Sequence, residues 1–159
     1  MSISIIAVGR MKEKPSRAMA DDYLKRLSRY GRFEEIELPD LPEPQNAAPA
    51  PETQLRQRAG EANLQRLRPG VHVIALTIPG KQWDSPGLAR HLDGLLSRGA
   101  SDIAFVIGGS LGLSEEVIAR ADEELSMSAM TFPHQLARVM LLEQLYRAMK
   151  IRAGERYHK

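Results

Sequence analysis

Cysteine is absent from the chain, which excludes disulfides, thiolate zinc sites and thiol nucleophiles and makes a reducing cytoplasm the expected setting. Long hydrophobic runs are absent too. The N-terminal stretch MSISIIAVGRMKEK is apolar only briefly, and its positive charge follows the apolar part instead of preceding it, so it reads as neither a signal peptide nor a membrane span. No lysine completes a phosphate loop. The stretch AFVIGGSLGLS at 104–114 lacks the G-x-x-x-x-G-K-[ST] pattern, and Gly80-Lys81 lacks the upstream glycine, so a nucleoside triphosphatase is not expected. The dinucleotide fingerprint fails as well, because the glycines fall at 108, 109 and 112. Histidines stand at 72, 91, 134 and 158 without ligand spacing, so no metal is expected. There is no internal repeat, and 159 residues suit one domain, 1–159, able to bury roughly two thirds of its unfolded surface.

What is present is a segregation of charge beneath a formal net +2. Residues 9–32 hold eight Lys and Arg against three Asp and Glu, residues 134–159 hold six against two, and the middle is therefore net −7. Two basic ends around an acidic middle fit a phosphate-binding surface assembled from both termini, or equally a set of solvated helix faces.

Periodicity alternates strand and helix. ISIIAVG (3–9) reads as a buried strand, PSRAMADDYLKRLSRY (15–30) as an amphipathic helix with a basic outer face, and FEEIELP (33–39) as a short strand. Five of the ten prolines fall in 39–51, which predicts an exposed loop. A polar helix follows over 52–67, then a strand at 71–77 apolar enough to be covered on both faces. The helix over 85–99 has Ser85 as its expected N-cap, Pro86 at its first position and Gly99 as terminator. A strand at 102–109, a helix capped by Ser114, a strand at 125–130 and a terminal helix over 134–152 complete the chain. This alternation predicts an α/β fold, a parallel sheet layered with helices.

Ligands of such sheets bind beyond the carboxyl ends of the strands, so three turns form the expected rim of a pocket: those after Leu76, after Val106 and after Ala129. As a bare pattern, Gly108-Gly109 is a tight turn feeding the Ser114 helix. The rim is apolar, with short side chains and free backbone groups, which suits an adenine and a thioether better than a triphosphate. A second cluster lies in FPHQLARVMLLEQLYRA and RYHK. His134 alone reads as a capping or surface residue, Glu143 as the i,i+4 partner of Arg147, and Leu136, Val139, Met140 and Leu142 as core. Tyr157 beside His158 in a polar tail suggests a ring that closes on a stacked base.

IAVGRMKEK, IPGKQWDSPGLA, FVIGGSLGLSEEV, LSMSAMTFPHQLARVMLLEQLYRAMKI and RYHK, in this order, resemble the ribosomal RNA large subunit methyltransferase family that modifies N3 of a pseudouridine in 23S RNA, a minimal branch of the SPOUT superfamily. The resemblance runs end to end and is weakest over 39–51. It implies S-adenosylmethionine as methyl donor, a C-terminal trefoil knot, a homodimer, and 23S rRNA within the ribosome as partner. By motif, it places donor contacts at Leu76, Gly108, Met127, Ser128, Ala129, Met130, Thr131 and Phe132. It also implies that His134, Arg138, Glu143, Tyr157 and His158 serve substrate binding and catalysis, partly across the dimer interface. In that picture Arg138 contacts a phosphate or the donor's carboxylate, and Lys12, Lys14, Arg17 and Arg29 hold the RNA backbone. His134, His158 or Glu143 would assist loss of the N3 proton. The competing expectation is a non-catalytic ribosome-associated RNA-binding protein.

Overall fold

A computed structural model describes residues 1–40 and 52–159. The loop expected at 39–51 lies, from residue 41 onward, outside the described residues. Five strands, β1 (Ser2–Val8), β2 (Arg32–Leu38), β3 (His72–Gln82), β4 (Asp102–Ile107) and β5 (Glu123–Ser126), form one sheet in the order β2-β1-β4-β3-β5, with every pairing parallel. The helices are α1 (Lys14–Leu27), α2 (Glu52–Gln65), α3 (Ser85–Ser97), α4 (Glu115–Arg120) and α5 (His134–Arg152).

Strand residues point alternately to the two faces, and both faces are covered. Ile3, Ile5 and Ala7 of β1 with Ile103, Phe105 and Ile107 of β4 pack toward α1, α3 and α5. Ile6 and Val8 with Ala104 and Val106 pack toward α2 and α4, where Ala59, Ala62 and Val117 close the second layer. Each wholly buried Ile or Leu contributes about 1.5–3 kcal/mol, so the central strands carry the greatest density of stabilisation. Helix α5 lies between α1 and α3, which is why Val139, Leu142, Leu145 and Met149 are all buried along it.

The boundaries of α3 and β5 differ from the sequence reading. The N-cap of α3 is Asp84, not Ser85: its carboxylate accepts the Gly87 N–H at 2.6 Å, a cap worth about 1 kcal/mol. Ser114 does cap α4, accepting from Val117 N–H at 3.3 Å. The strand expected at 125–130 starts earlier and stops at Ser126. The Ser126 hydroxyl donates to the Ser128 carbonyl (3.0 Å) and the Ser128 hydroxyl accepts the Met130 N–H (3.0 Å), so serine side chains take over partners a ladder would have used. The core assignment for α5 is also corrected in part. Leu136 is 46 % exposed and Met140 only half-buried: four residues apart, they share a less covered face of α5, while Arg138 and Val139 between them are buried.

Candidate active site

Strand β3 does not end where its apolar run ends. Leu76 pairs with Leu125, residues 77–80 swing out, and Lys81 pairs with the same Leu125 on return. The excursion depends on Gly80, whose missing Cβ would sit 2.8 Å from the Glu124 and Leu125 carbonyl carbons. Beside it, β4 runs into a turn closed by the Gly112 N–H donating to the Gly109 carbonyl at 3.0 Å. Gly108 faces that turn so closely that a Cβ would lie 2.6 Å from the Gly112 carbonyl carbon.

The two excursions and the irregular segment after β5 enclose a cleft of about 690 Å³, counted out to its open mouth. Of the expected donor contacts, Leu76, Gly108, Met127, Ser128, Met130, Thr131 and Phe132 line it. Ala129 does not, and is exposed. His134 and Ala137, at the start of α5, complete the wall. Thr77 and Ile78, in the turn expected after Leu76, line it too, although the resemblance placed no donor contact on them. Apolar side chains with glycine backbone between them present a flat, adaptable lining and little fixed charge. That lining fits an adenosyl group with a thioether and does not fit a triphosphate, which needs concentrated cations.

Arg138 is not part of this wall. It is 0 % exposed, and its Nη1 donates to Glu37 Oε2 at 2.9 Å while its Nη2 donates to the Gly9 carbonyl at 3.0 Å. The expected contact to a phosphate or donor carboxylate is therefore replaced by contacts inside the protein. Arg17 is similarly engaged, 2.6 Å from Glu35 and 2.9 Å from Asp21, so it does not join Lys12 and Lys14 as a free surface cation. Arg29 is exposed and lies 3.4 Å from Glu155.

Glu143, Tyr157 and His158 do come together, around a residue the sequence reading treated only as a helix pair. Arg147 donates to Glu143 Oε1 from Nε (3.0 Å) and Nη2 (2.5 Å), and its Nη1 lies 3.2 Å from His158 Nδ1. Its guanidinium stacks 4.8 Å from the centre of the Tyr157 ring, while the Tyr157 hydroxyl donates to Glu143 Oε1 at 3.2 Å. The i,i+4 spacing was the visible signal for Arg147. Burial first, and the neighbouring Glu143 charge second, push the Tyr157 phenol up to about 12. It therefore stays a neutral donor at physiological pH. A phenol raised in the folded state favours folding fully below about pH 10, its unfolded value, and loses that contribution as pH climbs through 12. Thermal melts of the wild type should fall over this range more steeply than those of Tyr157→Phe; parallel curves would rule the coupling out.

His134 stands apart from the tail cluster. Glu143 lies nine positions further along the helix, a rise of about 13.5 Å. A second, open hollow, about 1110 Å³ when counted out into solvent, is lined by Trp83, Ser85, Met140, Gln144 and His158 and shares Leu125 and Met127 with the first. The two remaining histidines also meet. His72 and His91 both place Nε2 on the Glu123 carboxylate, at 2.8 and 2.7 Å, tying β3, α3 and β5 together. Among the described residues no group of three or more His, Asp or Glu could hold a metal, and no helix is long and apolar enough to cross a membrane.

A family model described as "Predicted SPOUT methyltransferase" matches residues 1–158. The chain belongs to the SPOUT methyltransferase family. Two curated relatives match over the whole length of both chains: ribosomal RNA large subunit methyltransferase H 1 of Clostridium perfringens at 49 % identity, and ribosomal RNA large subunit methyltransferase H of Bacillus cytotoxicus at 52 %. A solved structure, a probable methylase family protein from Haemophilus influenzae, superposes with a TM-score of 0.55 at 15 % identity, covering 99 % of this chain and 70 % of that one. That likeness extends to the fold. The SPOUT assignment agrees with the position of the cleft, at the carboxyl ends of three adjacent parallel strands.

Proposed function

We propose that this SPOUT methyltransferase transfers a methyl group from S-adenosylmethionine to N3 of a pseudouridine in 23S ribosomal RNA, acting on the ribosome in the cytoplasm as a homodimer. The observation that carries the reading is the apolar cleft formed by the ends of β4, β3 and β5, within a chain about half identical throughout to large-subunit methyltransferases.

The donor, when bound, supplies an activated sulfonium methyl. The chain's own residues have to hold it and present a base to it. Leu76, Met127 and Phe132 offer apolar walls, and Gly108 allows close backbone approach. His134 is the titratable side chain on the cleft wall and is the group placed to accept an imide proton. Glu143 is already the acceptor for Arg147, Tyr157 and Gln144, so its role is to orient those donors. The distance from His134 to this cluster favours a composite site in which the second copy's tail reaches the cleft. Arg10, Lys12 and Lys14, exposed beyond β1 at the same end of the sheet, suit contacts to RNA phosphates. The C-terminal knot belongs to the same reading; Met127, Ser128, Met130, Thr131 and Phe132 line one cleft with the ends of both β3 and β4.

Mass mapping of 23S RNA from a strain lacking this gene should show one pseudouridine short of one methyl group, restored by the wild-type gene. Unchanged RNA would overturn the assignment. Calorimetric binding of S-adenosylmethionine without any RNA product would leave a methyltransferase with another substrate, and absence of both would favour a non-catalytic binding protein.

A further inference from the structure

Two carboxylates and two guanidiniums are gathered where β1, β2, α1 and α5 meet. Glu37 Oε2 accepts from Arg138 Nη1 at 2.9 Å and from the Met11 backbone N–H at 2.6 Å. Glu35 lies 3.5 Å from Arg138 and 2.6 Å from Arg17, and Arg17 lies 3.4 Å from the other oxygen of Glu37. Arg138 Nη2 takes the Gly9 carbonyl at 3.0 Å. The Glu37 carboxyl feels burial pushing its pKa up, yet the Met11 N–H and Arg138 outweigh it and hold the group below its usual range. Glu37 is therefore ionised at neutral pH.

Stability alone does not account for such a group. Ion pairs taken out of water are commonly matched by apolar residues of similar volume, so their distinctive contribution is geometric. Here the geometry has a clear object. Gly9 and Met11 are the backbone of the turn leaving β1, and Arg10 and Lys12 of that turn, with Lys14 at the first position of α1, are exposed to solvent. Arg138 is one residue beyond Ala137 and four beyond His134, both on the cleft wall.

We propose that Arg138 and Glu37 are positioning residues that hold the 9–14 turn, with its three exposed cations, in fixed register with the first turns of α5. A nucleic-acid strand held on those cations then presents its base at the cleft. The pair acts through the backbone of the turn and touches neither donor nor substrate. This rests on the proposed function, and deepens it by joining the phosphate contacts to the reacting position.

The test compares Glu37→Gln and Arg138→Lys with Lys12→Ala/Lys14→Ala, singly and combined, using radiolabelled S-adenosylmethionine and ribosomes from the deletion strain. Both positioning variants should bind the donor within about twofold of wild type, while kcat/KM for ribosomes falls about 10- to 100-fold, the cost of a small misplacement. Once the lysines are gone, adding Glu37→Gln should cost clearly less than it does in the wild type, because Arg10 is then the one cation of the three left to position. Losses that multiply independently, or donor affinity falling in step with activity, would overturn the proposal. A wild-type chain active on ribosomes with multiplying losses sinks the positioning role alone. A wild-type chain that transfers nothing to ribosomes sinks the underlying reading, and this one with it.

Discussion

Gly108→Ala should weaken S-adenosylmethionine binding at least about 30-fold, equivalent to about 2 kcal/mol, whereas Gly109→Ala should change it less than about threefold. The contrast rests on what each new methyl group meets. At Gly108 the Cβ would stand 2.6 Å from one backbone carbon of Gly112 and 2.9 Å from another, and neither can rotate away. The turn from Gly108 to Gly112 must then move, and with it one wall of the cleft. At Gly109 the nearest atoms are methyl and methine carbons of Val8 at 3.4 and 3.5 Å, ordinary contact distances. Titration calorimetry on the two purified variants decides the matter. Equal affinities would mean that the Gly108 turn is not part of the donor's seat. A larger side chain, as in Gly108→Arg, adds occlusion of the cleft to the backbone displacement and should abolish binding.

Arg138→Ala should be the most destabilising single substitution considered, by about 3 kcal/mol, lowering the melting temperature by roughly 10 °C. The Glu35 side chain is only 5 % exposed and would lose one of its two guanidinium partners. Glu37, 26 % exposed, and the Gly9 carbonyl would lose their charged donor. Partial access of water to Glu37 places the expected effect at the lower end of what breaking a buried pair costs. Arg138→Lys retains the charge and should recover most of the stability, though one ammonium cannot reproduce the two-nitrogen fork. A melting point for Arg138→Ala within about 2 °C of wild type would show that the network relaxes freely.

The order of elements was legible because β1, the first part of β3 and β4 are apolar runs, and α1 and α3 carry apolar stripes with a proline at their starts. Residues 102–107 can only be covered on both faces, and Ser114 with Glu115 and Glu116 marks a helix start. Most of the cleft was legible for the same reason, since the ends of parallel strands lie on one side of a sheet. Asp84 was overlooked because Ser85 beside it is an equally good cap by composition. The resumption of β3 beyond the turn at Thr77 and Ile78 was overlooked because the return to Leu125 depends on a contact between Gly80 and a strand more than forty residues later. His72 and His91 looked scattered because their common partner, Glu123, is remote from both in sequence.

Arg138 illustrates the division most sharply. Sequence alone determined that an arginine stands one turn into the terminal helix, near a glycine turn and a polar tail, in a chain of alternating strands and helices without cysteine. Whether that guanidinium faced a ligand or the protein was decided only by tertiary structure. Glu35 and Glu37 sit about a hundred residues away and approach it because β2 pairs with β1 and α5 lies against α1. The choice of partner depends on distance through space, which local propensity and periodicity do not encode.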